Sequence, residues 1–204
     1  MRLLVATRSA GKQAEARRLL EAAGHEVVFP DDAGIPESAS EEALEGDDTF
    51  VGNARRKAEY FQRRTGLPTV ADDSGLEVLS LGGAPGVRSK RWAEAAGTPG
   101  EVDAANNAEL LRRLRGAPAG KRSARYRCVL VLLRSANAVP EVFEGECAGR
   151  ILEAPEGSGG FGYDPLFWSP ELGKAFGDAT PEEKDRVSHR GRAFAKLAAF
   201  LRTL

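Results

Sequence analysis

Two adjacent carboxylates, Asp72 and Asp73, stand directly after the apolar run Thr69, Val70, Ala71 and directly before Ser74 and Gly75. Acids at the carboxyl end of a strand are placed to hold a divalent cation and to orient a water molecule. Neighbouring side chains on a strand point to opposite faces, so the two are expected to do different work. One would bind metal while the other holds the loop or takes a proton. Asp, Ser and Gly also form turns, and a plain turn fits the same residues.

A second group, Thr7, Arg8, Ser9, Ala10, Gly11 and Lys12, lies between a predicted strand over 3–6 and a helical pattern reaching residue 23. Small hydroxylated residues and a glycine let the backbone approach a phosphate. The helix start offers unpaired N–H groups, and Lys12 adds a full charge. This is no Walker A loop, because no Ser or Thr follows the lysine and the early glycine is missing. An ordinary strand-to-helix turn with a solvated lysine is the other reading.

The stretch from Gly157 to Gly162 matches G-x-G-x-x-G, yet Pro155 precedes it and Tyr163, Asp164 and Pro165 follow where a helix would have to open. It is therefore not a dinucleotide fingerprint. It reads as a glycine-rich loop that presents Phe161 and Tyr163 beside a carboxylate, suited to stacking on a flat base. The alternative is that its aromatics tuck into the core. Further on, Lys184 precedes Ser188, His189, Arg190 and Gly191 at a fresh helix start. Ser188 is the expected N-cap, and Arg190 offers a planar fork for carboxyl, carbonyl or phosphate oxygens. A helix over 49–58 sets Asn53 and Lys57 one turn apart on one face, and Glu45 just before it is a candidate third carboxylate.

The elements that must position these groups follow from periodicity. Strands are predicted over 3–6, 26–29, 69–71, 123–134 and 142–148, with 30–46 a loop. A helix over 48–64 places Phe50, Ala54, Ala58 and Phe61 on one stripe. Thr98 with Glu101, and Thr180 with Glu183, have capping-box spacing with proline at the first helical position. A last helix covers 191–204. Interleaved strands and helices with at least one hairpin predict an α/β fold with a mixed sheet.

The 204 residues contain no repeat and no interdomain linker, which predicts a single domain over 1–204. With 29 basic and 30 acidic residues the net charge is −1, which weighs against a large nucleic-acid footprint. No apolar run approaches the roughly 20 residues needed to span a bilayer, and the first residues do not resemble a secretory signal. No membrane or nucleic-acid partner is expected, and a cytoplasmic location is. Two Cys and two His are too few for a cysteine-rich zinc site or a disulfide scaffold. A hairpin centred near 137–138 would set Cys128 opposite Cys147, both expected as buried, reduced thiols. His25 is read as structural.

Taken in order, residues 7–12, the Phe50-Val51-Gly52-Asn53-Ala54 helix, Ala71-Asp72-Asp73-Ser74-Gly75-Leu76, Gly82-Gly83-Ala84-Pro85-Gly86, Gly159-Gly160-Phe161-Gly162-Tyr163-Asp164-Pro165 and Ser188-His189-Arg190-Gly191 are similar to one family. The chain resembles the inosine triphosphate pyrophosphatases, which hydrolyse non-standard purine nucleoside triphosphates. The resemblance implies an α/β fold in which a long mixed β-sheet with flanking helices forms two lobes around a nucleotide cleft. It implies a homodimer, a Mg²⁺ requirement, and cleavage of ITP, dITP or XTP to the monophosphate and pyrophosphate. By position, Thr7, Arg8, Ser9, Ala10, Gly11 and Lys12 would hold the triphosphate, with Lys57 a second cation. Glu45 and Asp73 would bind Mg²⁺, Asp73 also serving as base for the attacking water. Ser74, Phe161, Gly162, Tyr163 and Asp164 would line the nucleoside site, Phe161 stacking on the purine. Lys184, His189 and Arg190 would close over the nucleotide and read a 6-oxo edge, an acceptor where adenine has a donor.

Two positions depart from the family pattern. Its first loop usually reads Thr-Gly-Asn, where this chain has Thr7, Arg8 and Ser9; its helix usually has Glu before Asn53, where Gly52 stands here. Glu42, Glu45, Asp47 or Asp48 would then have to compensate. The competing readings are a related pyrophosphatase acting on modified or ordinary pyrimidine nucleotides, and a nucleotide-binding protein without turnover.

Overall fold

A computed structural model describes all 204 residues. In chain order the elements are β1 (Arg2–Val5), α1 (Ala10–Glu21), β2 (Glu26–Val28), α2 (Phe50–Thr65), β3 (Thr69–Val78), α3 (Pro99–Arg113), β4 (Ser123–Leu133), β5 (Glu141–Ile151), β6 (Phe167–Ser169), β7 (Lys174–Ala175), α4 (Pro181–Val187) and α5 (His189–Leu201). A seven-residue 3₁₀ segment, Ala39–Glu45, lies inside the stretch expected to be loop. The strands form one mixed sheet in the order β2-β1-β3-β4-β5-β6-β7. β1 runs parallel to β2 and β3, whereas β5–β6 and β6–β7 pair antiparallel. The α/β class and the mixed sheet are as the sequence predicts. No helix is long and apolar enough to cross a membrane.

The chain divides into two compact units. One comprises Met1–Asp73, Cys128–Gly145 and Arg190–Leu204; the other comprises Ser74–Arg127 and Glu146–His189. In the first unit the sheet is covered on both faces, and side-chain alternation sorts its residues. Leu3, Val5, Val70, Cys128, Leu130 and Leu132 pack with Ala16 and Leu20 of α1 and Phe194 and Leu197 of α5. Leu4, Ala6, Ala71, Val131 and Leu133 pack on the other face with Ala54, Ala58 and Phe61 of α2. The unbroken buried run from Cys128 to Leu133 is what a strand covered on both sides requires. In the second unit Leu76, Val78, Leu110, Tyr126, Ile151, Tyr163, Phe167 and Phe176 form a separate core.

Helix ends follow local chemistry. Ser9 and Thr49 cap α1 and α2, accepting from the backbone N–H of Lys12 and Gly52. Both predicted capping boxes are formed, at Thr98–Glu101 and Thr180–Glu183. α2 stops at Gly66, whose φ of 68° lies in the left-handed region that glycine enters without penalty. Ser188, extended at φ −71° and ψ 157°, separates α4 from α5.

One expectation is corrected. The strand predicted over 69–71 continues to Val78, so Asp72, Asp73, Ser74 and Gly75 are strand residues rather than a turn at its end. Cys128 and Cys147 are both free, buried thiols, and burial pushes the Cys128 thiol up to about 12.

Candidate active site

Alternation along β3 gives the two aspartates separate surroundings. Asp73 shares the face of Ala71 and meets α2; Asp72 shares the face of Val70 and meets α1 and the start of α5. The expectation of different work for the two acids rests on this parity, and the structure gives each acid its own set of partners.

Around Asp73, Asn53 Nδ2 donates to Oδ2 at 3.0 Å, and Lys57 Nζ lies 3.5 Å from Oδ1. Lys57 Nζ also donates to Glu45 Oε1 at 2.9 Å, so one ammonium gathers both carboxylates expected at a metal. Asn53 and Lys57 are four residues apart, on one helix face, as predicted. Asn53 further fixes residue 47, accepting from Asp47 N at 2.8 Å and donating to Asp47 O at 3.2 Å. Burial pushes the Asp73 carboxyl up against the pull of Lys57, Lys12 and the Asn53 bond, and Glu45 adds to the rise. Burial opposes charge on Lys57 as well, but Asp73, Glu45 and Asp72 overcome it and hold the ammonium above its ordinary range.

Around Asp72 the balance is reversed. Lys12 Nζ is 3.0 Å from Oδ2 and Arg190 Nε is 3.4 Å from the same oxygen. Arg190 Nη1 also bonds Glu15 of α1. Burial alone would raise the Asp72 carboxyl; Lys12, Arg190 and Lys57 bring it far below the usual carboxylate range. The two neighbouring carboxyls are thus pushed in opposite directions, Asp72 down by its cations and Asp73 up by burial.

The loop between β1 and α1 is tied down through its own groups. Thr7 Oγ1 accepts from Ser9 N at 3.3 Å, and Gln13 Nε2 donates to Thr7 O at 3.0 Å. Ala10 and Gly11 make the first turn of α1, where early N–H groups lack helical partners. Arg8 turns to two acids, bonding Asp31 and Glu41. Gly52 also finds its reason: a Cβ there would overlap the Asp47 carboxylate, which lies over the first turn of α2. Thr49 donates to that carboxylate through both N and Oγ1, at 2.9 and 2.7 Å. Of the four acids named as possible compensation for the missing glutamate, Asp47 is the one in its space.

The second unit assembles the other group. Asp164 Oδ2 accepts from Lys184 Nζ at 2.5 Å and from Phe161 N at 2.9 Å. Gly160, at φ 74°, leaves room for that carboxylate. Lys184 Nζ sits 4.7 Å from the centroid of the Phe161 ring, and Phe161 itself is half-buried. His189 is buried and stacks on Tyr126 with centroids 4.5 Å apart and planes 7° from parallel. Ser74 is half-buried in β3. Tyr163 takes the core alternative, being 3% exposed with its hydroxyl donating to Ser89 O at 2.9 Å. Arg190, grouped by sequence with the base-reading residues, is engaged by Asp72 and Glu15 in the first unit.

Two residues of α3 that the sequence did not single out hold the glycine-rich loop. Asp103 Oδ2 accepts from Gly162 N at 2.7 Å, and Asn107 Nδ2 donates to Gly162 O at 2.9 Å. Their only signal is a spacing of four on a helix, shared by many solvated pairs.

A mixed-sheet α/β protein with a buried carboxylate pair set between Lys12 in the first turn of α1 and Lys57 within α2 has the parts of a site for phosphate and metal chemistry. The family profile that matches residues 3–200 is that of the Ham1 family, and this chain belongs to it. The chain is 46% identical over 202 residues to the dITP/XTP pyrophosphatase of Ralstonia nicotianae, covering 98% of this chain and 96% of that one. It is 46% identical over 204 residues to the enzyme of that name from Methylococcus capsulatus, covering 100% and 97%. Among solved structures, a HAM1 protein from Coxiella burnetii superposes with a TM-score of 0.85 at 34% identity, covering all of both chains. A dITP/XTP pyrophosphatase from Mycobacterium abscessus does so with a TM-score of 0.70 at 41% identity, covering 97% and 98%. The resemblance drawn from the motifs is borne out.

Proposed function

We propose that this chain hydrolyses non-standard purine nucleoside triphosphates, dITP and XTP among them, to the monophosphate and pyrophosphate. The observation that carries this reading is the cluster of Asp73, Glu45, Lys57 and Asn53, and the names of the full-length relatives support it. Glu45 and Asp73 supply hard oxygen donors around one ammonium. Mg²⁺ is commonly held by one or two carboxylates with substrate phosphates and waters, so a two-acid set fits it. Bound there, Mg²⁺ would neutralise phosphate charge and make a bound water easier to deprotonate.

Within that reading, Asp73 takes the proton of the attacking water. Lys12 and Lys57 supply positive charge to the triphosphate where the transition state needs it. Thr7, Ser9, Ala10 and Gly11 shape the phosphate loop. Asp72 remains charged and orients Lys12, and Arg190 holds Asp72 rather than the base edge. Phe161 offers a ring to the purine, while Lys184, His189 and Ser74 are the polar groups assigned to its edge. Asp164 orders that loop through Lys184 and Phe161 N, and Gly162 and Tyr163 anchor it. Neither compact unit is a contiguous stretch of chain, which supports reading 1–204 as one catalytic domain. A homodimer is proposed on the family resemblance, and a cytoplasmic location on the free thiols.

Purified protein incubated with dITP, dATP, dGTP and dTTP, with and without Mg²⁺, tests the reaction. Pyrophosphate and dIMP are expected, formed mainly from dITP and only with Mg²⁺. Release of orthophosphate would place the scissile bond elsewhere, and preference for dTTP would favour the pyrimidine reading. For Asn107→Ala, loss of one bond to Gly162 O is expected to raise KM for dITP roughly fivefold, the size of one net hydrogen bond, with kcat less affected. An unchanged KM in steady-state kinetics would remove α3 from loop positioning.

A further inference from the structure

We propose that Arg8 is a positioning residue: by clamping Glu41 it holds the 3₁₀ segment Ala39–Glu45, and with it Glu45, in place beside Lys57 and Asp73. This deepens the pyrophosphatase reading and rests on it, since Glu45 matters only if it serves the metal. Arg8 makes a two-point contact with Glu41, Nε to Oε2 at 3.1 Å and Nη2 to Oε1 at 2.8 Å, while Nη1 bonds Asp31. The Arg8 and Glu41 side chains are only 17% and 13% exposed, so solvent screens the pair incompletely.

The segment itself buries no residue. Its order therefore depends on contacts along its edges: Glu41 to Arg8, Ser40 Oγ to Tyr60 OH at 3.2 Å, Leu44 against the α2 face, and Glu45 to Lys57. A 3₁₀ helix rises about 2 Å per residue, so Glu45 lies about 8 Å along the axis from Glu41. Freeing Glu41 would release the first turn of the segment whose last residue is the metal donor. Arginine suits this work because a planar fork fixes direction as well as distance; lysine, a point charge, would keep attraction and lose alignment. The same contacts argue against Arg8 as a plain phosphate ligand, because a triphosphate would have to take it from two carboxylates.

The test is Mn²⁺ binding to nucleotide-free protein, followed by titration, for the native chain, Arg8→Ala, Arg8→Lys, Glu41→Gln and the double variant Arg8→Ala/Glu41→Gln. Hydrogen exchange over residues 38–46 and the Mg²⁺ dependence of dITP turnover are read alongside. Arg8→Ala and Glu41→Gln are each expected to weaken Mn²⁺ about tenfold and to speed exchange in the segment. The double variant should be no worse than either single one, and Arg8→Lys intermediate. Unchanged Mn²⁺ affinity in both single variants, with KM for dITP raised by Arg8→Ala alone, would overturn the proposal and make Arg8 a phosphate contact. Should Arg8→Ala fail to fold, the near-isosteric Glu41→Gln decides. Failure of the native chain to hydrolyse dITP would end the functional reading, while the Mn²⁺ comparison would still decide the clamp.

Discussion

Asp73→Asn is expected to lower turnover of dITP by on the order of 10³-fold or more while leaving nucleotide binding measurable. A positioned general base is worth roughly 10²–10⁴ in rate, and this substitution also removes one of the two proposed metal donors. The amide is nearly isosteric and can still accept from Asn53 Nδ2, so the 3.0 Å contact that fixes the side chain survives. Lys12 and Lys57 remain, and Lys57 then faces only Glu45 of its two close acids, so affinity for the triphosphate without metal should hold or improve. The cost to folding should be small, because a neutral group escapes the burial penalty on the Asp73 charge while the buried Lys57 ammonium keeps Glu45 as a partner. Rapid-quench product assays with equilibrium binding of dITP separate these effects. Turnover near the native rate sinks Asp73 as base and ligand, and loss of binding together with turnover recasts it as a scaffold for Lys57.

The sequence made this pair visible but misread its setting. Asp72 through Gly75 are poor strand formers, and by local propensity β3 should have ended at Ala71. The strand continues because each acid finds partners on its own face, Lys12 and Arg190 for one and Asn53 and Lys57 for the other. Arg190 lies 118 residues away, beyond any local window. Local signals did well where the chemistry was local: both capping boxes and the four-residue spacing of Asn53 and Lys57. Long apolar strands were also legible, because a run such as that ending at Leu133 has one plausible environment. The short strands β6 and β7, three and two residues long, carry too little periodicity to register. Tyr163 and Phe161 could not be told apart by composition; only the Ser89 carbonyl settles which ring is inside. The role of Gly52 depends on Asp47 folding back over α2, which the missing side chain permits and spacing does not announce.

Arg190→Met is expected to destabilise the protein by about 3–5 kcal/mol, the usual result of removing one partner from a buried ionic group. The guanidinium is 3% exposed and joins Glu15 and Asp72, whose side chains are 7% and 4% exposed. Methionine fills much of the volume, so the loss comes from charge rather than from a cavity. Asp72 keeps Lys12 at 3.0 Å, whereas Glu15 loses its buried cation, so most of the penalty falls on Glu15. At about 2–4 °C per kcal/mol for a chain of this size, the midpoint of thermal unfolding should drop by roughly 10 °C. The pH dependence identifies the cause. In the native protein Asp72 is held far below its unfolded value, so its contribution is complete above the ordinary aspartate range near 4 and is lost only as pH falls from there toward the much lower folded value. Arg190 is one of the cations behind that shift, so the gap between native and variant midpoints should narrow as pH falls from about 4 toward about 2. The double change Arg190→Met/Glu15→Gln should recover part of the loss at neutral pH. A gap that stays constant across that range, or no recovery in the double variant, would mean that packing of the arginine stem and not its charge is what α1, β3 and α5 require there.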